Sequence, residues 1–156
     1  MSRFAQTEQD RRLSNIVQMG VVEQVDYSNP ARVRVRIGEL LTGWLRMGSP
    51  RAGDAHQSWG YSIGEEVVVV APSGDLAQGV IVCALANGSN AGQAAPGSCK
   101  TVYPGGVVIE IVEGSIRITA PGNVIVNGDV IADGISLKTH VHGEVSPGPA
   151  DTGVPK

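Results

Sequence analysis

Residues Val107 to His142 read VVIEIVEGSIRITAPGNVIVNGDVIADGISLKTHVH, and this stretch decides the architecture. Short alternating segments, IEI, IRI, VIV and VIA, are separated by turns that contain glycine. A period of two sends successive side chains to opposite faces of a strand. Ile109 and Ile111, Ile116 and Ile118, and Val124 and Val126 are therefore expected on one face, with Glu110, Arg117 and Thr119 on the other. The series continues through Ile135 and Leu137 and closes on His140 and His142, which share a face as well. Segments of three to five residues cannot bury an apolar face within about 40 residues of one chain. A coiling solenoid would need a more regular repeat. Copies wound around an axis solve the problem, because each chain's apolar face turns inward and its strand edges pair with neighbours.

Composition agrees with narrow β-structure. The chain has 156 residues and 42% hydrophobic content, yet only one Phe, three Tyr and two Trp. Its apolar mass is Val, Ile, Ala and Leu, which fit a pleated surface. Twenty-one glycines, against an average usage of about 7%, mark many tight turns. A net charge of −3 without a basic run gives no electrostatic case for nucleic acid. No apolar stretch approaches the ~20 residues of a membrane-spanning helix, and MSRFAQTEQDRR lacks a signal peptide's apolar run. A soluble protein made in the cytosol is expected, with Cys83 and Cys99 as buried or idle thiols rather than a disulfide.

Working outward to the N-terminus, residues 1–19 carry Phe4, Leu13, Ile16 and Val17 among polar residues, and read as an arm with a short amphipathic helix ending near Gly20. Residues 20–85 have the texture of strands: GVVEQVDY and ARVRVRI pair around the Asn29-Pro30 turn signal, and TGWLRMGS, EEVVVVAPSG and QGVIVCAL follow. Five short strands in that length predict a small barrel of the OB type. Arg32, Arg34 and Arg36 alternate with Val33, Val35 and Ile37, so three arginines line one face. Residues 86–98 are a linker of small residues, 99–138 the alternating strand series, and 139–156 the closing segment. His56 lies alone in a loop and reads as a surface residue.

His-x-His on a strand places two imidazoles about 6.5–7 Å apart on one face. Two nitrogens make a poor site; three chains on a threefold axis supply six. That octahedral set suits Fe(II), and Ni or Zn less well. Six protein ligands leave no open position, so such a site is structural. Read alone, a His-x-His is more often two exposed histidines near a chain end.

The closing run ISLKTHVHGEVSPGPADTGVP resembles the tip of the baseplate assembly protein V family, the central spikes of contractile-tailed phages such as P2 and Mu and of R-type pyocins. The resemblance is carried by Thr139-His140-Val141-His142-Gly143 and Thr152-Gly153-Val154-Pro155, and upstream by the Trp44 strand, the Gly64-Glu-Glu-Val67 strand and the Gly74-Asp75 to Gly79-Val80 hairpin. It implies a homotrimer: an OB barrel, an intertwined triple-stranded β-helix over 99–138 and a conical apex over 139–156, with one iron (Fe2+) held by His140 and His142 of all three chains. Chloride or calcium ions near Ser136 to Lys138 would be further axial guests. The implied role is mechanical and non-enzymatic. The spike sits in the virion tail baseplate, caps the tail tube on the baseplate hub, and is driven through the host outer membrane into the periplasm when the sheath contracts. Arg32, Arg34 and Arg36 are the hub-contact candidates. Two other readings stand beside it: an OB-type nucleic-acid or glycan binding module with a trimerisation stalk, and a small metalloenzyme using His140 and His142, for which Glu144 is the nearest third ligand.

Overall fold

The chain divides into two units, Met1–Gln93 and Ala94–Lys156. The computed structural model describes residues 3–28, 30–88 and 96–141. The first unit opens with helix α1 (Arg3–Asn15) and continues through β1 (Val17–Asp26), β2 (Arg32–Ile37), β3 (Leu40–Leu41), β4 (Leu45–Met47), β5 (Glu66–Val70) and β6 (Val80–Leu85). The pairings run β1–β2, β2–β4, β4–β6, β6–β5 and β5–β1, which closes a five-stranded barrel; β3 pairs with Arg36 and Ile37 at the end of β2. All of these pairs are antiparallel except β4–β6. Closure removes the sheet edges.

The barrel interior is aliphatic. Val22, Val33, Val35, Leu45, Val67, Val69 and Ile81 are buried, and Val25, Ile37, Met47, Tyr61 and Leu76 pack against them. Alternation along β2 and β5 produces this: every second residue, a valine, points in while arginines or further valines point out. The one buried polar side chain among the described residues, Thr42, is satisfied: its Oγ1 accepts from Val35 N at 3.0 Å and donates to Gly43 O at 2.9 Å. A buried hydroxyl without such partners would be costly.

The N-terminal boundary differs from the sequence expectation. The helix stops at Asn15, and residues 17–21 pair with β5 instead of continuing the helix. Gly20 is not a helix stop; it lies in β1 against β2 with no room for a side chain. A Cβ there would lie 2.5 Å from Arg36 O and 2.6 Å from Val35 Cγ1. Gly20→Ala should destabilise the barrel by about 1–3 kcal/mol through overpacking, read as a lowered denaturant midpoint at unchanged m-value. The helix is seated by backbone: Ala71 N donates to Ile16 O at 2.8 Å, and Gly74, at φ 72°, leaves room for Arg12 O where a Cβ would come within 2.2 Å. Phe4 and Leu13 stay exposed.

Glu8 ties the helix surface, accepting from Arg11 Nε and Nη2 at 2.9 Å each and from Arg12 Nε at 2.7 Å. Hydrogen bonds from Arg11 first, then Arg12, hold its carboxyl down at about 2, against an ordinary 4.5. A depressed carboxylate contributes stability above its ordinary range and loses it as pH falls through its folded value. An NMR titration should place the Glu8 midpoint near 2, and Arg11→Gln/Arg12→Gln should return it towards 4.5.

The second unit holds β7 (Cys99–Val102), β8 (Val108–Val112) and β9 (Ser115–Thr119) as an antiparallel sheet, then the small hairpin β10 (Ile131–Ala132) and β11 (Ile135–Ser136). Two of its turns share one chemistry. Val112 pairs with Ser115 across Glu113-Gly114, and Ala132 with Ile135 across Asp133-Gly134. All four turn residues have positive φ (51°, 75°, 49° and 83°). Two-residue loops of that kind match the strand twist, and a glycine at the second position makes them accessible. Val124 to Val126, whose alternation predicts a strand, makes no ladder with the other described residues. A strand is defined by a partner backbone, and alternation specifies only a face.

Candidate functional site

The sheet β7–β8–β9 is two-faced in composition but bare on its apolar side. Ile109 lies across from Ile118 and Ile111 across from Ile116, so four isoleucines share one face. They are 37, 53, 48 and 73% exposed, respectively. Thr101 and Cys99 extend that face from β7, opposite Ile109 and Ile111. On the reverse, Glu110 lies between Lys100 and Arg117, with Arg117 Nη1 3.3 Å from its carboxylate. Cys83 and Cys99 are both free thiols and exposed.

The turn after this sheet carries the histidine. Leu137 N donates to Val130 O at 2.8 Å, closing the β10–β11 hairpin at its open end. Asp129 then bridges the two arms: it accepts from Val130 N at 2.8 Å, from Lys138 N at 3.0 Å and from the Ser136 hydroxyl at 2.5 Å. The Ser136 bond, with the Lys138 and Val130 amides, holds the Asp129 carboxyl below its usual range. Ser136 Oγ in turn accepts from Thr139 N at 2.9 Å and Thr139 Oγ1 at 2.8 Å.

The resulting tight turn places His140 N 3.0 Å from Ser136 O. His140 Nδ1 lies 3.1 Å from both Ser136 O and Leu137 O. Carbonyl oxygens only accept, so Nδ1 carries a proton, and in the neutral ring that leaves the lone pair on Nε2. A neutral imidazole so held is the form that binds a transition metal. His142 and the tail beyond it lie outside the described residues. Among the described residues no cluster of three or more His, Cys, Asp or Glu donors converges, so the metal reading of the histidines needs further copies of the chain.

The arginine row on β2 is less open than its alternation implies. Arg36 pairs with Glu23, one arm reaching Oε1 at 2.8 Å, and each raises the other's preference for its charged form. Arg34 donates to Thr42 O at 2.8 Å and Gln24 Oε1 at 3.2 Å, and its guanidinium sits 5.9 Å from the Trp44 ring centre. Arg32 stands directly across from Arg46 of β4, and neither joins an ion pair among the described residues. Arg46 is the member that alternation within β2 could not reveal. His56 is exposed.

The first unit is a closed barrel with one parallel pairing, and the second is a set of hairpins that end in a histidine-bearing turn. Residues 18–85 match the family model described as the type VI secretion system/phage-baseplate injector OB domain, and residues 134–156 match the GpV apex motif. The chain belongs to the baseplate spike family. It is similar to the spike protein of Escherichia phage P2, 29% identical over 127 residues that cover 78% of this chain and 60% of the relative. No described helix is long and apolar enough to cross a membrane.

Proposed function

We infer that the chain is the central tail spike of a contractile phage or phage-like particle: a non-enzymatic homotrimer that caps the tail tube at the baseplate and pierces the host outer membrane. The bare isoleucine face of β8 and β9 carries the reading, because a partner chain must cover it. Three copies turning that face to an axis bury it and give the unpaired Val124 to Val126 segment its ladder partner. Strands crosslinked around an axis resist axial load. His140 and His142 from three chains would hold one iron ion at the tip, where it staples ends that otherwise fray. The chemistry the metal supplies is ligation alone; no residue in this reading acts on a substrate.

The barrel unit is the mount. Arg32, Arg34 and Arg36 face the baseplate hub in this reading, joined by Arg46. Like charges directly opposite, as Arg32 and Arg46 are, are unfavourable until something neutralises them, and an acidic hub surface does so.

Light scattering with elemental analysis of the purified chain tests the whole. A mass of three chains with about one iron per trimer is expected. A monomer removes the spike reading. A trimer that binds single-stranded DNA in a salt-dependent way, lost on neutralising Arg32 and Arg34, favours the binding module instead.

A further inference from the structure

The geometry points to Asp129 as the positioning residue of the apex, acting through Ser136 to fix the tautomer and aim of His140. The inference rests on the metal-holding reading of His140 and His142 and names what makes that ligand competent. Asp129 stands eleven positions before the histidine and does not touch it. Its carboxylate gathers Val130 N, Ser136 Oγ and Lys138 N, which are the two arms of the hairpin and the first residue beyond it. That clamp sets where the Ser136 and Leu137 carbonyls lie, and those carbonyls receive the Nδ1 proton.

A hydroxyl relay completes it. Ser136 Oγ gives its proton to Asp129 and takes bonds from Thr139 N and Thr139 Oγ1, so the residue before His140 is pinned by the same oxygen. The residues present fit a metal at the far side of the ring: with the proton committed to Nδ1, Nε2 carries the lone pair. Groups that orient a ligating histidine through its second nitrogen typically change metal affinity 10–100-fold when removed. Short exposed hairpins are otherwise weakly held, which is why a three-bond carboxylate is needed to hold the aim.

The experiment uses the full chain, Fe(II) supplied under anaerobic conditions, a competing chelator, and nitrogen-detected NMR of the histidine rings in metal-free protein. In wild type the His140 ring should carry its proton on Nδ1. Asp129→Ala should keep the trimer mass, show His140 as a mixture of tautomers, and release Fe(II) to chelator roughly 10–100-fold more readily. Asp129→Asn, which keeps an oxygen for the Lys138 and Val130 amides, should fall between the two. Ser136→Ala, which leaves those amide bonds in place, should reproduce the tautomer mixing and provides the test if Asp129→Ala does not fold. Unchanged tautomer and unchanged Fe(II) release in both variants overturn the role of Asp129 while leaving the metal reading intact. A wild-type trimer that takes up no Fe(II) overturns the metal reading, and the tautomer measurement then decides for or against Asp129 by itself.

Discussion

A His140→Ala/His142→Ala double variant should purify as a trimer whose bound transition metal has fallen from about one ion per three chains to background. The expected loss is total rather than graded, because the substitution removes all six nitrogens at once, and no other cluster of three or more metal-donor side chains converges among the described residues of one chain. A single His140→Ala leaves three nitrogens and should retain metal only weakly. The thermal consequence follows from linkage: a metal present at a thousandfold excess over its dissociation constant stabilises the bound state by about 4 kcal/mol. Added chelator should therefore lower the melting temperature of the wild-type second unit and leave the double variant unmoved. The barrel transition should be the same in both, since its core of Val22, Val33, Val35, Leu45, Val67, Val69 and Ile81 lies in the other unit. Full metal content in the double variant would remove the histidine pair from the account.

What the sequence discloses is set by range. Period-two alternation is a local property of the backbone, so the faces of Val33/Val35 and Ile109/Ile111 could be read directly and match the structure. Turn chemistry is also local, and the glycines at 114 and 134 announced the two hairpins. The partner of a strand is not local. Val124 to Val126 alternates as well as its neighbours but finds no ladder among the described residues of one chain. Gly20 looked like a helix stop because its true constraint, the Arg36 carbonyl, arrives from β2. The same limit governs side chains. Glu23 sits 13 positions from the arginine it neutralises, and Arg46 reaches the β2 row only through the barrel's register. In the site, the His-x-His spacing was visible and the role of Asp129 was not. An Asp in an Asn-Gly-Asp run reads as turn chemistry, and only the folded hairpin brings Ser136 and Lys138 onto it.

An Ile111→Asp/Ile116→Asp variant should be monomeric at micromolar concentration, where the wild-type chain should be a trimer. The two positions are direct cross-strand partners on the bare face, so the substitution places two carboxylates side by side at its centre. Fully burying one isoleucine is worth about 1.5–3 kcal/mol, so positions already partly covered stand to gain on the order of 1 kcal/mol each on assembly. Twelve isoleucines in three chains then contribute on the order of 10 kcal/mol, against about 4–15 kcal/mol for each of the two associations that build a trimer. Ladder bonds between chains and the apex metal must supply the surplus, and the margin is narrow. Six carboxylates facing one axis, each costing several kcal/mol to desolvate without a partner, exceed any such margin. The control lies on the opposite face: Thr119→Asp adds charge beside Val108 and away from the isoleucines, and should leave the trimer intact. Light scattering on the two variants separates a specific loss of the apolar contact from a general effect of added charge. A trimer that survives Ile111→Asp/Ile116→Asp would mean that this face does not meet the axis.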